Sequence, residues 1–153
     1  MISCLEYCNA VFYGTSDKII NQMQLIQNAA VKLVTGKNKF DHLNDDYKKL
    51  HWLTIKKRII FKIALLSFKS INGCAPQYLQ DMFQYSHHGY LPKLIVPSNT
   101  LKVGHHAFST AGPKIFNLLP YDVKSSPCVN SFKKKLKTHL FAISDTELQP
   151  LWV

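Results

Sequence analysis

Two neighbouring carboxylates, Asp45 and Asp46, are the residues whose spacing first suggests catalysis. Paired aspartates can hold the two metal ions that enzymes use for phosphoryl transfer. Here they lie at the predicted start of a short helix, from about Asn44 to Leu50, where carboxylates accept hydrogen bonds from free N–H groups and interact favourably with the helix dipole. No apolar strands flank them to hold them rigid. We therefore interpret the pair as a helix start and predict no catalytic residue.

Histidines and cysteines are the next candidates for chemistry. Adjacent histidines occur twice, as His87–His88 and His105–His106, and the four cysteines are Cys4, Cys8, Cys74 and Cys128. Neither set has the CxxC or HxxxH spacing of a zinc site, and the cysteines show no disulfide framework. The sequence predicts no metal, no cofactor and reduced thiols.

The sequence contains no secretory signal and no run of 18 apolar residues. We therefore expect no membrane partner and an intracellular location, in the nucleus or the cytoplasm.

Charge is the strongest compositional signal. The 153 residues include 19 Lys and Arg against nine Asp and Glu, which gives a formal net charge of +10. Residues 47–80 contain seven of the cations and no carboxylate, and residues 123–144 contain five lysines and no carboxylate. Such local excess is usual in proteins that bind nucleic acid or anionic membranes, although a basic surface without a partner is also common.

Lysine provides nearly all of this charge, since Arg58 is the only arginine. Lysine is a point charge on a flexible stem, whereas bidentate contacts to base edges favour Arg, Asn and Gln. The sequence therefore predicts contacts to backbone phosphate with little sequence specificity. The candidate nucleic-acid-binding residues are Lys56, Lys57, Arg58, Lys62, Lys69, Lys133, Lys134, Lys135 and Lys137.

A long apolar helix within residues 51–73 must position the first group of these cations. Ile55, Ile59, Ile63 and Leu66 recur on one face of a helical period, and further apolar residues cover much of the remaining surface. Such a helix is normally covered by neighbours on several sides. Thr54 is its predicted N-cap and Gly73 its predicted end.

The remaining patterns predict further helices around this one. The apolar stripe Ile19, Met23, Ile26, Ala30 and Leu33 predicts the buried face of a helix after Asp17, with its amide side chains exposed to solvent. A short helix after Pro76 is predicted to bury Tyr78, Leu79, Met82 and Phe83, and Ser109–Leu119 is a further predicted helix that holds Pro113. The last helix is predicted to bury Phe132, Leu136 and Leu140.

We predict a mainly α fold: an irregular helical bundle around a central apolar helix, with a small extended or β-hairpin insertion near residues 90–106. The predicted segments form one compact domain. They are a helical hairpin (1–36), a central helical region (37–84), an extended or hairpin arm (85–106), C-terminal helices (107–143) and a disordered tail (144–153).

Six strings of the sequence, in this order, resemble the segment that follows the polymerase core in reverse transcriptases of non-LTR (LINE-type, jockey-like) retrotransposons. They are CLEYCNAVFYG (4–14), QLIQNAAVKLVTG (24–36), FDHL (40–43), LHWLTIKKRIIFKIALLSFKSINGCAPQYL (50–79), AFSTAGPKIFNLLP (107–120) and SFKKKLKTHLF (131–141). The resemblance implies that residues 4–36 correspond to the polymerase thumb. It also implies that the later helices form a C-terminal extension that helps to hold template RNA and target DNA.

Several parts of that family's pattern are missing. Its aromatic-x-Asp-Asp polymerase signature has only the mimic Leu43–Asn44–Asp45–Asp46, which lacks the aromatic residue, and no endonuclease or zinc knuckle is seen. Thr54 stands where relatives usually have proline. The resemblance therefore implies a chain truncated before the catalytic palm, which is no enzyme by itself although its parent is an RNA-directed DNA polymerase.

Two functions remain open from the sequence. In the first, the chain is a non-catalytic remnant that binds RNA, an RNA–DNA hybrid or duplex DNA through phosphate contacts. In the second, it is a protein-interaction or orphan scaffold fragment that packs on a reverse-transcriptase core in trans or self-associates. For the second function, Val11, Phe12, Tyr13 and the Ile19/Met23/Ile26 stripe are the expected exposed apolar surface.

Overall fold

The computed structural model describes residues 8–38, 40–86, 93–98, 104, 106–144 and 147–152. The predicted mainly α fold with a small hairpin is confirmed. In chain order the elements are a 3₁₀ turn at Asn9–Phe12, α1 (Asp17–Thr35), α2 (Asn44–Lys49), α3 (Ile55–Ile71), α4 (Gln77–Gln80), β1 (Tyr85–Ser86), β2 (Lys93–Leu94), α5 (Phe108–Leu118), α6 (Tyr121–Lys124), α7 (Val129–Ala142) and a 3₁₀ turn at Gln149–Leu151.

Helix α3 lies at the centre of the bundle, as the sequence predicts. It packs against α1, α4, α5, α7 and the first 3₁₀ turn. Ile55, Ile59 and Ile63 are buried, and Ile60 and Phe68 are buried on other sides of the same helix. Because α3 has neighbours on several sides, the apolar side chains around most of its surface are covered.

The start of α3 is held by a different side chain from the one predicted. Thr54 occupies the N-cap position but its hydroxyl makes no capping hydrogen bond. The side chain of Gln24 on α1 accepts a hydrogen bond from the Ile55 N–H instead, at 2.9 Å. At the other end, Gly73 has the positive φ of 68° that the sequence predicts for the residue that ends the helix.

Helix α7 buries the predicted edge. Phe132, Leu136 and Leu140 are fully buried. The Phe132 ring stacks on the Phe68 ring of α3, with ring centroids 4.1 Å apart and an interplanar angle of 16°. This stacking contact holds α7 against α3 and so sets the distance between the two helices.

Helix α5 approaches α3 closely because both helices carry small residues at the crossing. Gly112 of α5 and Ser67 and Ala64 of α3 are buried there. A Cβ built on Gly112 would lie only 2.8 Å from the Ser67 Oγ. Pro113 lies in the second turn of α5, where it is fully buried.

The hairpin pairs Tyr85 with Leu94 and Ser86 with Lys93 in antiparallel register. It therefore begins before the predicted insertion near residues 90–106, and residues 87–92, 99–103 and 105 lie outside the described part of the chain. The side chain of Asn117 on α5 donates to the Leu94 carbonyl and accepts from the Leu94 N–H, at 2.8 and 3.0 Å. One amide thus satisfies both backbone groups of Leu94 and fastens the hairpin to the bundle.

The predicted buried stripe of α1 is wrong for three of its five residues, and the other two, Met23 and Ala30, are only partly buried. Ile19, Ile26 and Leu33 are 42%, 52% and 81% exposed, whereas Ile20, Gln27 and Val31 are buried. The helix is rotated so that some of its amide side chains, including Gln27, face the rest of the chain, whereas Asn21 and Gln22 are exposed as predicted. From the sequence, all of these amides are predicted to be exposed because they are polar. Some of them face inward because they have hydrogen-bond partners inside the fold, and an amide with such partners can be buried.

Those partners form a polar network between α1 and the segment around α2 and the start of α3. Gln27 donates to the Leu53 carbonyl at 2.8 Å. Gln24 donates to the Tyr47 hydroxyl at 2.7 Å, and this hydroxyl donates to Asn28 at 2.6 Å. The docking of α1 therefore includes hydrogen bonds as well as the apolar contacts of Ile20 and Val31.

The predicted buried side of the short helix after Pro76 is also only partly right. Phe83 is buried, but Tyr78 and Met82 are 63% and 43% exposed. The helix is a single turn, Gln77–Gln80. One turn places few residues on one face, so its apolar residues cannot all reach the core.

The predicted disordered tail is wrong for residues 147–152. Leu148, Leu151 and Trp152 are buried around the 3₁₀ turn Gln149–Leu151. The Tyr13 hydroxyl donates to the Leu151 carbonyl at 3.2 Å, and the Tyr13 and Trp152 rings meet edge to face at 5.5 Å. The segment lacks periodicity because it packs through a few large apolar residues rather than through one face of a long helix.

The close crossing of α5 and α3 predicts the effect of Gly112→Ala. A Cβ at this position would lie 2.7 Å from Cζ of Phe83 and 2.8 Å from the Ser67 Oγ. We expect the free energy of unfolding to fall by about 1–3 kcal/mol, although alanine is intrinsically the better helix former. Urea denaturation measures this change.

The matched background for that measurement is Phe83→Leu, which removes the atoms nearest the new methyl group. The penalty of Gly112→Ala should be smaller in this background than in the wild type, and a double-mutant cycle measures the difference. An equal penalty in both backgrounds would contradict the close-packing account.

A second prediction concerns Tyr13, because burial raises the pKa of its phenol to about 12. In the unfolded chain this group titrates near pH 10. The folded form keeps the proton over the range in which the unfolded form loses it. Its contribution to stability is therefore intact below about pH 10 and is lost as the pH rises towards about 12.

Tyr13→Phe removes the titration together with the hydrogen bond to Leu151. We expect the variant to be less stable than the wild type by about 1 kcal/mol near pH 7, with the difference shrinking above about pH 10. Urea denaturation across this pH range tests it, with the exposed Tyr121→Phe as control. A difference in the free energy of unfolding that stays constant across the whole pH range would show that the Tyr13 proton does not contribute to stability.

Candidate nucleic-acid interface

A groove between α3 and α7 brings together some of the predicted cations. Its cavity volume is about 330 Å³. Lys62 extends from α3, and Lys133 and Lys137 extend from α7. The full lining is Asn9, His51, Leu53, Arg58, Phe61, Lys62, Leu65, Lys133 and Lys137.

Helical spacing and core packing explain this arrangement. Arg58 and Lys62 are four residues apart on α3, and Lys133 and Lys137 are four residues apart on α7, so each pair lies along one helix face. The Phe68–Phe132 stack joins the two helices. The core thus places the two rows of cations on opposite sides of one groove.

The lining of this groove contains lysines but no carboxylate among the residues that the structure describes. Other lysines of the described chain have acidic partners: Lys56 lies 2.7 Å from Asp17, and Lys135 lies 2.7 Å from Asp122. Cations that face one another across a groove without a carboxylate produce a positive potential that favours an anionic ligand.

Arg58 lies in the groove lining but not on an exposed strip. Its side chain is buried, at 9% exposure, and Nε donates to the Leu53 carbonyl at 2.9 Å. Arg58, which the sequence predicts as a contact to phosphate, is therefore buried rather than exposed. The planar guanidinium instead helps to fasten the segment that precedes α3.

The other predicted residues of α3 lie outside the groove. Lys56 pairs with Asp17, and its Nζ lies 5.3 Å from the centroid of the Trp152 ring. Lys57 donates to the Ile143 carbonyl at 2.7 Å. Lys69 is in the last turn of α3, away from these contacts. The predicted cations of this helix thus lie in several different surroundings.

The lysines of α7 are divided in the same way. Lys134 and Lys135 line a different cavity, next to Asp122 and Val123 of α6. Lys135 donates to both the backbone and the carboxylate of Asp122. Because three consecutive helical residues point in different directions, the lysine run cannot form one contact surface.

Aromatic residues of the groove were not predicted as functional. Phe61 of α3 is partly buried, and His51 is exposed with a left-handed φ of 52°. The His51 ring lies 6.4 Å from the Phe141 ring, above which Lys137 places its Nζ at 6.0 Å from the centroid. In the sequence Phe61 is indistinguishable from the core residues beside it, so no signal identified it.

The Asp45–Asp46 pair lies in the first turn of α2. Asp46 is buried, and its carboxylate lies 2.6 Å from the Lys37 Nζ, whereas Asp45 is exposed. The hydrogen bond from Lys37 to Asp46 raises the pKa of that lysine. The two carboxylates thus have different surroundings, and Asp46 ties the loop after α1 to the start of α2.

No group of three or more His, Cys, Asp or Glu residues that could hold a metal ion occurs among the described residues. Of the adjacent histidines, His87, His88 and His105 lie outside this part of the chain. Within the same residues, no helix is both long enough and apolar enough to cross a membrane.

A second surface of interest is the outer face of α1 and its flanks. Of the residues expected there, Val11, Ile19 and Ile26 are exposed, Phe12 and Met23 are partly buried, and Tyr13 is buried in the core. Further exposed apolar side chains on α1 are Leu25, Leu33 and Val34, and Phe40 is exposed in the loop that follows the helix.

No family model, curated protein or solved structure matches this chain. The likeness to non-LTR retrotransposon reverse transcriptases therefore depends on the six sequence strings alone and stays a prediction.

Proposed function

We propose that this chain is a non-catalytic remnant of a non-LTR retrotransposon reverse transcriptase and binds nucleic acid through backbone phosphates. The observation that carries the proposal is the groove between α3 and α7, where Lys62, Lys133 and Lys137 meet without a carboxylate in the described lining. RNA or an RNA–DNA hybrid is the preferred ligand class, and duplex DNA is a further one.

Three lines of reasoning support this function. The charge of the groove complements a polyphosphate. Lysines contact phosphate as point charges and read few base edges, so binding should depend weakly on sequence. The six strings resemble a region whose parent proteins hold template RNA and target DNA, which agrees with such a ligand.

Salt dependence tests the proposal directly. If the three lysines contact about three phosphates, a fourfold rise in salt should weaken binding about 20-fold for a single strand and about 40-fold for a duplex. Binding of the purified chain to an RNA hairpin, an RNA–DNA hybrid and duplex DNA would be measured across salt concentrations. Affinity that stays flat with salt would contradict the proposal.

The matched variants separate the groove from the overall charge. Changing Lys62, Lys133 and Lys137 together to Gln should weaken binding and flatten the salt dependence. Changing Lys49, Lys69 and Lys134 to Gln removes the same charge away from the groove and should have a much smaller effect. Equal losses in the two triple variants would mean that net charge, rather than the groove, determines binding.

A second function is favoured by the exposed apolar face of α1. We infer that this chain alternatively acts as an interaction fragment, which packs on a polymerase core or associates with itself. Leu25, Ile26 and Leu33 are each more than half exposed on one helix. Contiguous exposed apolar surface of this kind marks interaction sites in soluble proteins.

Changing Ile26 and Leu33 to Gln tests the second function. If the face mediates self-association, the change should lower the association constant at least about tenfold, because each side chain loses apolar burial. Sedimentation velocity over a range of protein concentrations measures it. Leu118 and Tyr121, which are 50% and 61% exposed elsewhere, provide the matched control when both are changed to Gln. A wild-type chain that remains monomeric throughout would argue against self-association.

A further inference from the structure

The groove between α3 and α7 contains aromatic rings as well as lysines. Phe61 extends into its lining from the same helix as Lys62, and His51 lines it from the segment before α3. Phe61 is only partly buried although it belongs to the most apolar helix of the chain. A ring that is left partly accessible beside cations is the combination that stacks a nucleobase while lysines contact the phosphates.

We propose that this groove binds single-stranded nucleic acid, with one unstacked base against Phe61 and the neighbouring phosphates on Lys62, Lys133 and Lys137. The inference depends on the proposed nucleic-acid function and narrows its ligand class to an unpaired strand, in place of an RNA–DNA hybrid or duplex DNA. The base lies between the two helices, and His51 provides a second ring at the same site.

The size of the groove favours a single strand over a duplex. Its volume of about 330 Å³ is at the small end of the range for ligand pockets, so it accommodates one base and its sugar rather than a helix. In a duplex, the bases are paired and stacked inside, and a protein must pay an unstacking energy to reach one. An unpaired strand can place a base on Phe61 without that cost.

The positions of the cations agree with this geometry. Lysines stand on both sides of the groove, with Lys62 on α3 and Lys133 and Lys137 on α7. A flexible strand that enters the groove can present phosphates on either side of an inserted base to both rows. A base held by stacking and lysine contacts is recognised without a sequence preference, because every base has a π-face.

The experiment compares three ligands of equal length and charge on the full chain. They are a single-stranded RNA without secondary structure, the same strand with abasic sites in place of its bases, and an RNA hairpin whose stem is fully paired and whose loop carries no bases. Fluorescence anisotropy gives the affinities across salt concentrations. We expect the intact single strand to bind about tenfold more tightly than the abasic strand and the hairpin.

The matched variant is Phe61→Leu, which keeps an apolar side chain but removes the ring. It should abolish the advantage of the intact strand over the abasic strand and leave the salt dependence unchanged. Circular dichroism checks that the variant is folded. The abasic comparison needs only the wild-type chain, so the inference is tested even if the variant misfolds.

The possible outcomes separate this inference from the function on which it depends. Salt-dependent binding of equal strength to all three ligands would overturn the single-strand inference and retain nucleic-acid binding. Absence of salt-dependent binding to any of them would overturn both. Tighter binding of the intact strand, lost in Phe61→Leu, supports both.

Discussion

A helix that is apolar almost all round has to be covered almost all round, and this constraint on α3 determines the structure. Its neighbours are α1, α4, α5, α7 and the first 3₁₀ turn. Uncovered apolar area would forfeit about 25 cal/mol for every Å² left in water. The small residues at the α5 crossing and the Phe68–Phe132 stack at the α7 crossing are the two ways in which the neighbours come close enough.

Periodic apolar patterns predicted the elements whose burial is hydrophobic. The faces of α3 and α7 follow their sequence pattern because both helices exclude water mainly through aliphatic and aromatic side chains. The orientation of α1 could not be predicted in this way. Its inward face includes Gln24 and Gln27, whose partners are Ile55 and Leu53, about thirty residues away along the chain. A local pattern contains no information about such distant partners.

The candidate site, like the fold, could be predicted only in part from the sequence. Composition identified the cations, but which of them share a groove depends on how α3 and α7 cross, and this follows from core packing. Lys62, Lys133 and Lys137 therefore remain together while Lys56 and Lys135 have acidic partners on other surfaces. The aromatic rings of the groove could not be recognised at all, because Phe61 has the same sequence context as the buried residues beside it.

The polar docking of α1 has a thermodynamic consequence. Its buried side includes few apolar side chains, and much of its attachment is made by amide hydrogen bonds to the backbone and to Tyr47. Apolar exposure raises the heat capacity on unfolding and polar exposure lowers it. Detachment of α1 alone would therefore change the heat capacity little, whereas opening the contacts of α3 with α5 and α7 would change it strongly. The chain thus combines two kinds of interface whose strengths respond differently to temperature.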